Sequence, residues 1–185
     1  PSGPKTWKRK EDATGPTPGA DPVAGGNANG WHRQKPVTVT FPGGDTTSGI
    51  ATCTPDQPYT GGDTTGTPIS GSCTDQAGNS SGLKTYTLNY DATAPALTPT
   101  PSRAPDANGW YNHALSVSFP GTDGTSGIGA CTPQQNYSGP DNAEASISGS
   151  CTDNAGNTTP KMLGFKYDAT APALVPDPVP DPNAQ

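Results

Sequence analysis

Long apolar runs are missing from this 185-residue chain, and so are most of the residues that build a large interior. Hydrophobic residues make up 29%, against ~45–50% in an ordinary soluble domain, which excludes one big globule around a single core. No stretch approaches the ~20 consecutive apolar residues that a membrane-spanning helix needs. Charge is scarce as well, at 14%, and that argues against a chain held open by charge. There is no initiating Met, no charged n-region and no apolar h-region, so no signal peptide is visible, and the chain reads as a mature or excised piece of something longer. No window carries a 3.6-residue apolar period, so almost no helix is expected.

What fills the space is turn and strand chemistry. There are 24 Gly and 23 Pro, with abundant Thr, Ser and Asn, the residues of short strands and tight turns. The net charge is −6, which disfavours nucleic acid as a partner because that binding depends on neutralising phosphates. The charge is uneven. Lys5, Lys8, Arg9 and Lys10 stand in the first ten residues, where there is no acid, so all sixteen acidic residues face only six basic ones in the rest of the chain. A basic end and an acidic body can steer identical units head to tail; the same residues also read as a solvated tail.

The sequence repeats itself at an offset of 77 to 79 residues. Asn29-Gly30-Trp31 returns as Asn108-Gly109-Trp110, and Phe41-Pro42-Gly43 as Phe119-Pro120-Gly121. Asp45-Thr46-Thr47-Ser48-Gly49-Ile50 returns as Asp123-Gly124-Thr125-Ser126-Gly127-Ile128. Ser70 to Asp75 returns as Ser148 to Asp153, Ala77-Gly78-Asn79 as Ala155-Gly156-Asn157, and Tyr90 to Pro95 as Tyr167 to Pro172. Self-similarity at a fixed period marks a repeat architecture. The resulting division is a basic, Pro/Gly-rich N-terminal segment (1–28), repeat 1 (29–95), a Pro-rich linker (96–107), repeat 2 (108–172) and a Pro-rich, extended tail (173–185). Glu11-Asp12-Ala13-Thr14-Gly15-Pro16 stands in phase with the Asp-Ala-Thr motif and reads as the end of an upstream repeat or a degenerate linker.

Within a repeat the period is two. Val37, Val39 and Phe41 alternate with Thr38 and Thr40; Leu115, Val117 and Phe119 do the same. Ile69, Gly71 and Cys73 share one face, as do Ile147, Gly149 and Cys151. Tyr86, Leu88 and Tyr90 match Leu163, Phe165 and Tyr167. Such alternation predicts half-buried strands. Turn clusters between them, such as Pro42-Gly43-Gly44-Asp45 and Gly61-Gly62-Asp63, complete the pattern of an antiparallel sandwich. The fold class expected is all-β: two tandem antiparallel β-sandwich domains. One residue more separates Trp31 from Phe41 than Trp110 from Phe119, which predicts a bulge in the opening strand of repeat 1.

Four cysteines allow three pairings. Each repeat holds two, twenty residues apart, so the repeat selects Cys53–Cys73 and Cys131–Cys151. A domain of about 70 residues with few aromatics needs such a staple. A metal site fits less well, because there is no Cys-x-x-Cys element and the two His are not at matching positions. Disulfides imply an oxidising compartment: a surface, the medium, the periplasm or the outside of a virion.

The string Gly-Trp, then Val-x-Val-x-Phe, Asp-x-x-Ser-Gly-Ile, Cys-Thr-Pro, Ser-Gly-Ser-Cys-Thr-Asp-x-Ala-Gly-Asn and Tyr-Asp-Ala-Thr-Ala-Pro resembles bacterial immunoglobulin-like repeats of the hyalin-repeat type over nearly the whole of both repeats. The resemblance implies immunoglobulin- or fibronectin-III-like sandwiches in tandem, on surface or secreted proteins, serving as spacers or in adhesion rather than catalysis, with neighbouring repeats, identical subunits or surface glycans as partners. A fold alone does not establish a role.

Site chemistry is thin. His32 and His113 lie near strand starts with no nucleophile motif beside them, and the carboxylates sit in turns, so no enzyme is expected. Calcium is the one cofactor the residues suggest. Asp91 and Asp168 stand where one repeat hands over to the next, and Asp45, Asp75, Asp123 and Asp153 stand in loops; several carboxylates are what a hard cation takes. The alternative is that these acids cap their own turns. Trp31, Trp110, Tyr59 and Tyr137 read either as sugar platforms or as lids on the sandwich. Trp7, with Lys8, Arg9 and Lys10, is the candidate for docking on another molecule. Asn79-Ser80-Ser81, Asn136-Tyr137-Ser138 and Asn157-Thr158-Thr159 match the N-glycosylation pattern. The function expected is a non-catalytic extracellular spacer or adhesion segment. A self-assembling subunit of a filament or virion appendage and a carbohydrate-binding module of a secreted enzyme are the alternatives.

Overall fold

A computed structural model describes Gly3 and residues 8–176. Among these residues there is no helix, and the chain is all-β. The first stretch holds β1 (Thr17–Pro18), β2 (Asp21–Pro22), β3 (Trp31–His32), β4 (Val37–Thr40), β5 (Gly43–Gly44), β6 (Ile50–Cys53), β7 (Gln57–Tyr59), β8 (Thr64–Gly71), β9 (Cys73–Asp75) and β10 (Lys84–Tyr90). The second holds β11 (Ala96–Leu97), β12 (Thr100–Pro101), β13 (Trp110–Tyr111), β14 (Leu115–Ser118), β15 (Gly121–Thr122), β16 (Ile128–Cys131), β17 (Gln135–Tyr137), β18 (Asn142–Asp153) and β19 (Thr158–Tyr167).

The sequence repeat is a topological repeat. Sheets β1-β5, β2-β4-β7, β3-β10-β8 and β6-β9 are answered by β11-β15, β12-β14-β17 and β13-β19-β18-β16. One strand, β18, does the work of β8 and β9 together. The period-2 faces are where the core sits. Val37, Val39 and Phe41 are buried while Thr38 and Thr40 are half-exposed, and Leu115, Val117 and Phe119 repeat this. Val37 packs with Leu88 and Tyr90 of β10, with Tyr59, Ile69 and Tyr86 around them. Two sheets thus close on a small aliphatic and aromatic interior, as in a sandwich.

Two local expectations change. The edge strands β3 and β13 run parallel, not antiparallel, to the last strand, with Trp31 opposite Asn89 and Trp110 opposite Lys166. The reason lies in the connection: β3 belongs to one sheet and β4 to another, so the chain crosses between sheets instead of turning back in a hairpin. The extra residue of repeat 1 makes no bulge in β4, whose register with β7 runs unbroken from Val37↔Tyr59 to Val39↔Gln57. It lengthens the loop between β3 and β4, residues 33–36 against 112–114.

The segments expected to be linkers are parts of the sheets. β1 and β2 lie inside 1–28, and β11 and β12 inside 96–107. Thr17 and Pro18 pair with Gly44 and Gly43, so that turn cluster is itself a strand. Proline survives at a sheet edge because no ladder donor is needed there. Pro16, Pro95 and Leu97 are buried, which anchors these short strands. The tail shows exposed residues and no strand from 173 to 176; its remainder lies outside the described residues.

The chain divides into two compact units. The first takes in the chain up to Ala96 together with Gly121–Ala130 and Cys151–Thr159; the second takes in Leu97–Pro120, Cys131–Ser150 and the chain from Pro160 on. The unit border therefore runs through the second repeat.

Candidate functional site

The acidic loops are built from the same two turns in each repeat. In the Ser-Gly-Ile turn, Asp123 Oδ1 accepts hydrogen bonds from the amides of Thr125, Ser126 and Gly127 at 3.1, 2.9 and 2.8 Å. Asp45 does the same for Thr47, Ser48 and Gly49. In the Ala-Gly-Asn turn, Asp153 Oδ1 accepts from the amides of Gly156 and Asn157, and its Oδ2 from the Asn157 side chain. Gly127 and Gly156 have φ of 74° and 94°, the left-handed region where a side chain is strained. That is why glycine stands in both turns.

These loops meet a third acid, all within the first compact unit. Asp91 is fully buried. Its Oδ2 accepts from the Ser126 amide at 3.1 Å and its Oδ1 from the Thr93 amide at 3.0 Å. The Asn157 side chain donates to the Asp91 carbonyl at 3.0 Å and the Thr93 carbonyl at 3.4 Å. Asp91, Asp123 and Asp153 each bring a carboxylate oxygen within 4.8 Å of the others. The arrangement recurs with Asp12, Asp45 and Asp75, and Asn79 donates to the carbonyls of Asp12 and Thr14. Of the six acids, none forms an ion pair among the described residues.

From the other side the Asp-Ala-Thr segment is held by one more carboxylate. Asp63 accepts from the Ala92 amide at 2.9 Å and from the Thr93 hydroxyl. The Thr93 hydroxyl and the Ala92 amide keep Asp63 below the ordinary carboxylate range. Burial pushes Asp75 upward, but the Asn79 side chain and the amides of Asn79 and Ala77 outweigh it and leave Asp75 below its ordinary value. For Asp12 the Ser48 side chain and the Thr14 amide lower the pKa. Its Oδ2 is buried and has no hydrogen-bond partner.

Of the sequence candidates for calcium, Asp91 is brought together with other acids and Asp168 is not. Asp168 is exposed and accepts from the Thr170 amide, and it belongs to no acidic triad among the described residues. Asp45, Asp75, Asp123 and Asp153 all take part. Asp12, Asn79 and Asn157 were missed as site residues. The phase of Asp12-Ala13-Thr14 with the repeat was the signal that could have found the first. The amides of Asn79 and Asn157 are occupied, which leaves neither free as a glycan acceptor in the folded chain.

The other candidates fall out as follows. Cys53 is bonded to Cys73, and Cys131 and Cys151 are both disulfide-bonded, which leaves no free cysteine among the described residues. Two disulfides point to an oxidising compartment, and no helix among the described residues is long and apolar enough to cross a membrane. Lys8, Arg9 and Lys10 are exposed; Arg9 and Lys10 line an open cleft with Thr47, Ser48 and Gln76. Trp7 lies outside the described residues. Trp31 and Trp110 are half-buried edge-strand residues, and the Lys166 ammonium sits 5.7 Å above the Trp110 ring. Tyr59 and Tyr137 are half-buried, and their hydroxyls donate to Gly62 and Pro140 carbonyls. His32 is buried and shares a 2.9 Å hydrogen bond with the Tyr86 hydroxyl. No family model matches the chain, and no curated protein matches it.

Proposed function

We propose that this chain is a non-catalytic structural segment, a tandem of immunoglobulin-like repeats serving as a disulfide-stapled spacer on a surface or secreted protein. The observation that supports it is the burial of Asp91 against Ser126, with Asn157 closing on the Asp91 and Thr93 carbonyls. The last motif of one repeat is latched to two loops of the next. The asparagine part of the latch recurs where Asn79 closes on the Asp12 and Thr14 carbonyls, which makes that part a property of the repeat rather than of one junction. A spacer needs such ties between successive repeats, and they need no catalytic group. Replacing Asp91 by Ala leaves amides without an acceptor, and about 1–3 kcal/mol of stability is lost in urea unfolding. Asp168→Ala, at an exposed position, changes stability by less than about 0.5 kcal/mol. Equal effects of the two substitutions, or none from Asp91→Ala, would sink the reading.

A second reading is favoured by the buried, unpartnered Oδ2 of Asp12 and by the gathering of three carboxylates in each triad. All-oxygen donor sets of this kind suit Ca²⁺. Calcium added to chelator-treated protein then raises the melting temperature and titrates calorimetrically to two ions per chain, and to one in Asp123→Asn. With no binding heat and an unchanged melting curve, the triads are hydrogen-bonded turns and nothing more.

A further inference from the structure

Asp168-Ala169-Thr170-Ala171-Pro172-Ala173-Leu174 repeats Asp91-Ala92-Thr93-Ala94-Pro95-Ala96-Leu97 residue for residue. The two copies are held alike from behind. Asp91 donates its amide to the His32 carbonyl and Asp168 to the Tyr111 carbonyl, both at 2.9 Å. Asp63 accepts from Ala92 and Thr93, and Asp141 accepts from Ala169 and Thr170 in the same way. The front of the two copies differs completely. Asp91 is 0% exposed, Pro95 is fully buried and Leu97 is 6% exposed. Asp168 and Pro172 are exposed, and Leu174 is 98% exposed with Val175 beside it at 87%. The earlier copy, Asp12 to Pro18, is also docked: Pro16 is buried and Pro18 pairs in β1.

We infer that Asp168–Leu174 is a preorganised docking segment, and that its occupant is a further module of this same repeat following Leu174 on one chain. Such a module brings an Asp-x-x-Ser-Gly-Ile turn to accept Asp168 and an Ala-Gly-Asn turn whose Asn closes on the Asp168 and Thr170 carbonyls. It also brings a Phe-Pro-Gly strand to pair with Ala173-Leu174, as β15 pairs with β11. Seven identical residues in an identical rear cradle dictate the same front partner. The acceptor of the second repeat suits this segment better than that of the first. A Cβ on Gly15 would come within 2.3 Å of the Ser80 carbonyl oxygen, so the first acceptor takes glycine where this segment has Ala171. The inference rests on the latch described above.

The test extends the chain by placing a copy of residues 98–176 directly after Leu174 and follows amide hydrogen exchange beside the 185-residue chain. Exchange at 169–174 is expected to slow by about tenfold or more, to the level of 92–97 in the same sample, and Asp168→Asn is expected to reverse it. If 169–174 stay unprotected while the added module is folded and 92–97 are protected, the inference is wrong and the latch stands. If 92–97 are unprotected too, the latch itself falls. Concentration-dependent association of the 185-residue chain that Asp168→Asn abolishes would assign the segment to exchange between copies and overturn the in-line module.

Discussion

At the scale of single residues, carboxylates and one histidine set the response to pH. Asp63, Asp75 and Asp141 titrate below the ordinary value in the folded chain, because hydroxyl, side-chain amide and backbone donors favour their ionised forms. Their stabilisation is fully present above the unfolded carboxylate value of about 3.9 and is lost as pH falls through the lower folded values. His32 works in a different window. Burial lowers its pKa, so between its folded value and about 6.5 the unfolded chain binds a proton that the folded chain does not. Stability therefore declines as pH drops below about 6.5 and levels off once the folded imidazole is also charged. His32→Gln, which can still hydrogen-bond Tyr86, is expected to flatten the decline of urea midpoints that sets in below about pH 6.5 while leaving the carboxylate-driven acid limb intact. Midpoints measured across that range in both proteins check this.

At the scale of the element, glycine faces decide how tightly the sheets approach. A Cβ on Gly149 would lie 2.5 Å from the Phe119 ring, and one on Gly71 would lie 2.5 Å from the Phe41 ring. Each ring lies flat on a bare stretch of backbone, and both rings are buried. Gly149→Ala is expected to cost about 1–3 kcal/mol by overpacking, and adding Phe119→Leu should recover part of the loss by freeing room above the new methyl. Chemical unfolding of the single and double variants measures it; an unchanged midpoint in Gly149→Ala would mean the ring moves aside freely. The alternation of Ile147, Gly149 and Cys151 on one face was legible in the sequence. The ring above Gly149 was not, because Phe119 is thirty residues away and only the sheet packing brings it there.

At the scale of the whole molecule, small cores make covalent staples matter. The Cys53–Cys73 disulfide closes a twenty-residue separation, which on chain-entropy grounds contributes about 3 kcal/mol, against a total stability of roughly 5–15 kcal/mol for a domain. Replacing Cys131 and Cys151 by Ser is expected to lower the unfolding free energy by about that amount. The Cys53–Cys73 region should keep its exchange protection if the loss is local; its collapse would show that the chain unfolds as one cooperative body. The basic N-terminus belongs at this scale as well. Residues 12–18 are tied into the first sheets, so an assembly role based on a free arm is confined to what precedes them.

The sequence alone determined the repeat, the all-β class, the buried faces of β4, β10 and β14 and the pairing of Cys53 with Cys73. All of these follow from short-range properties, a period of two and a motif spacing, that need no distant partner. Only the tertiary structure decided that the Pro-rich segments enter the sheets. Thr17–Pro18 and Ala96–Leu97 have linker composition, and they become strands because Gly43–Gly44 and Gly121–Thr122 offer free edges to pair with. It also decided which acids meet. Asp91, Asp123 and Asp153 lie 32 and 30 residues apart in the chain, and no local pattern links them. They come together because two loops and one strand end, each shaped by its own turn, are carried to the same place by the sheets between them.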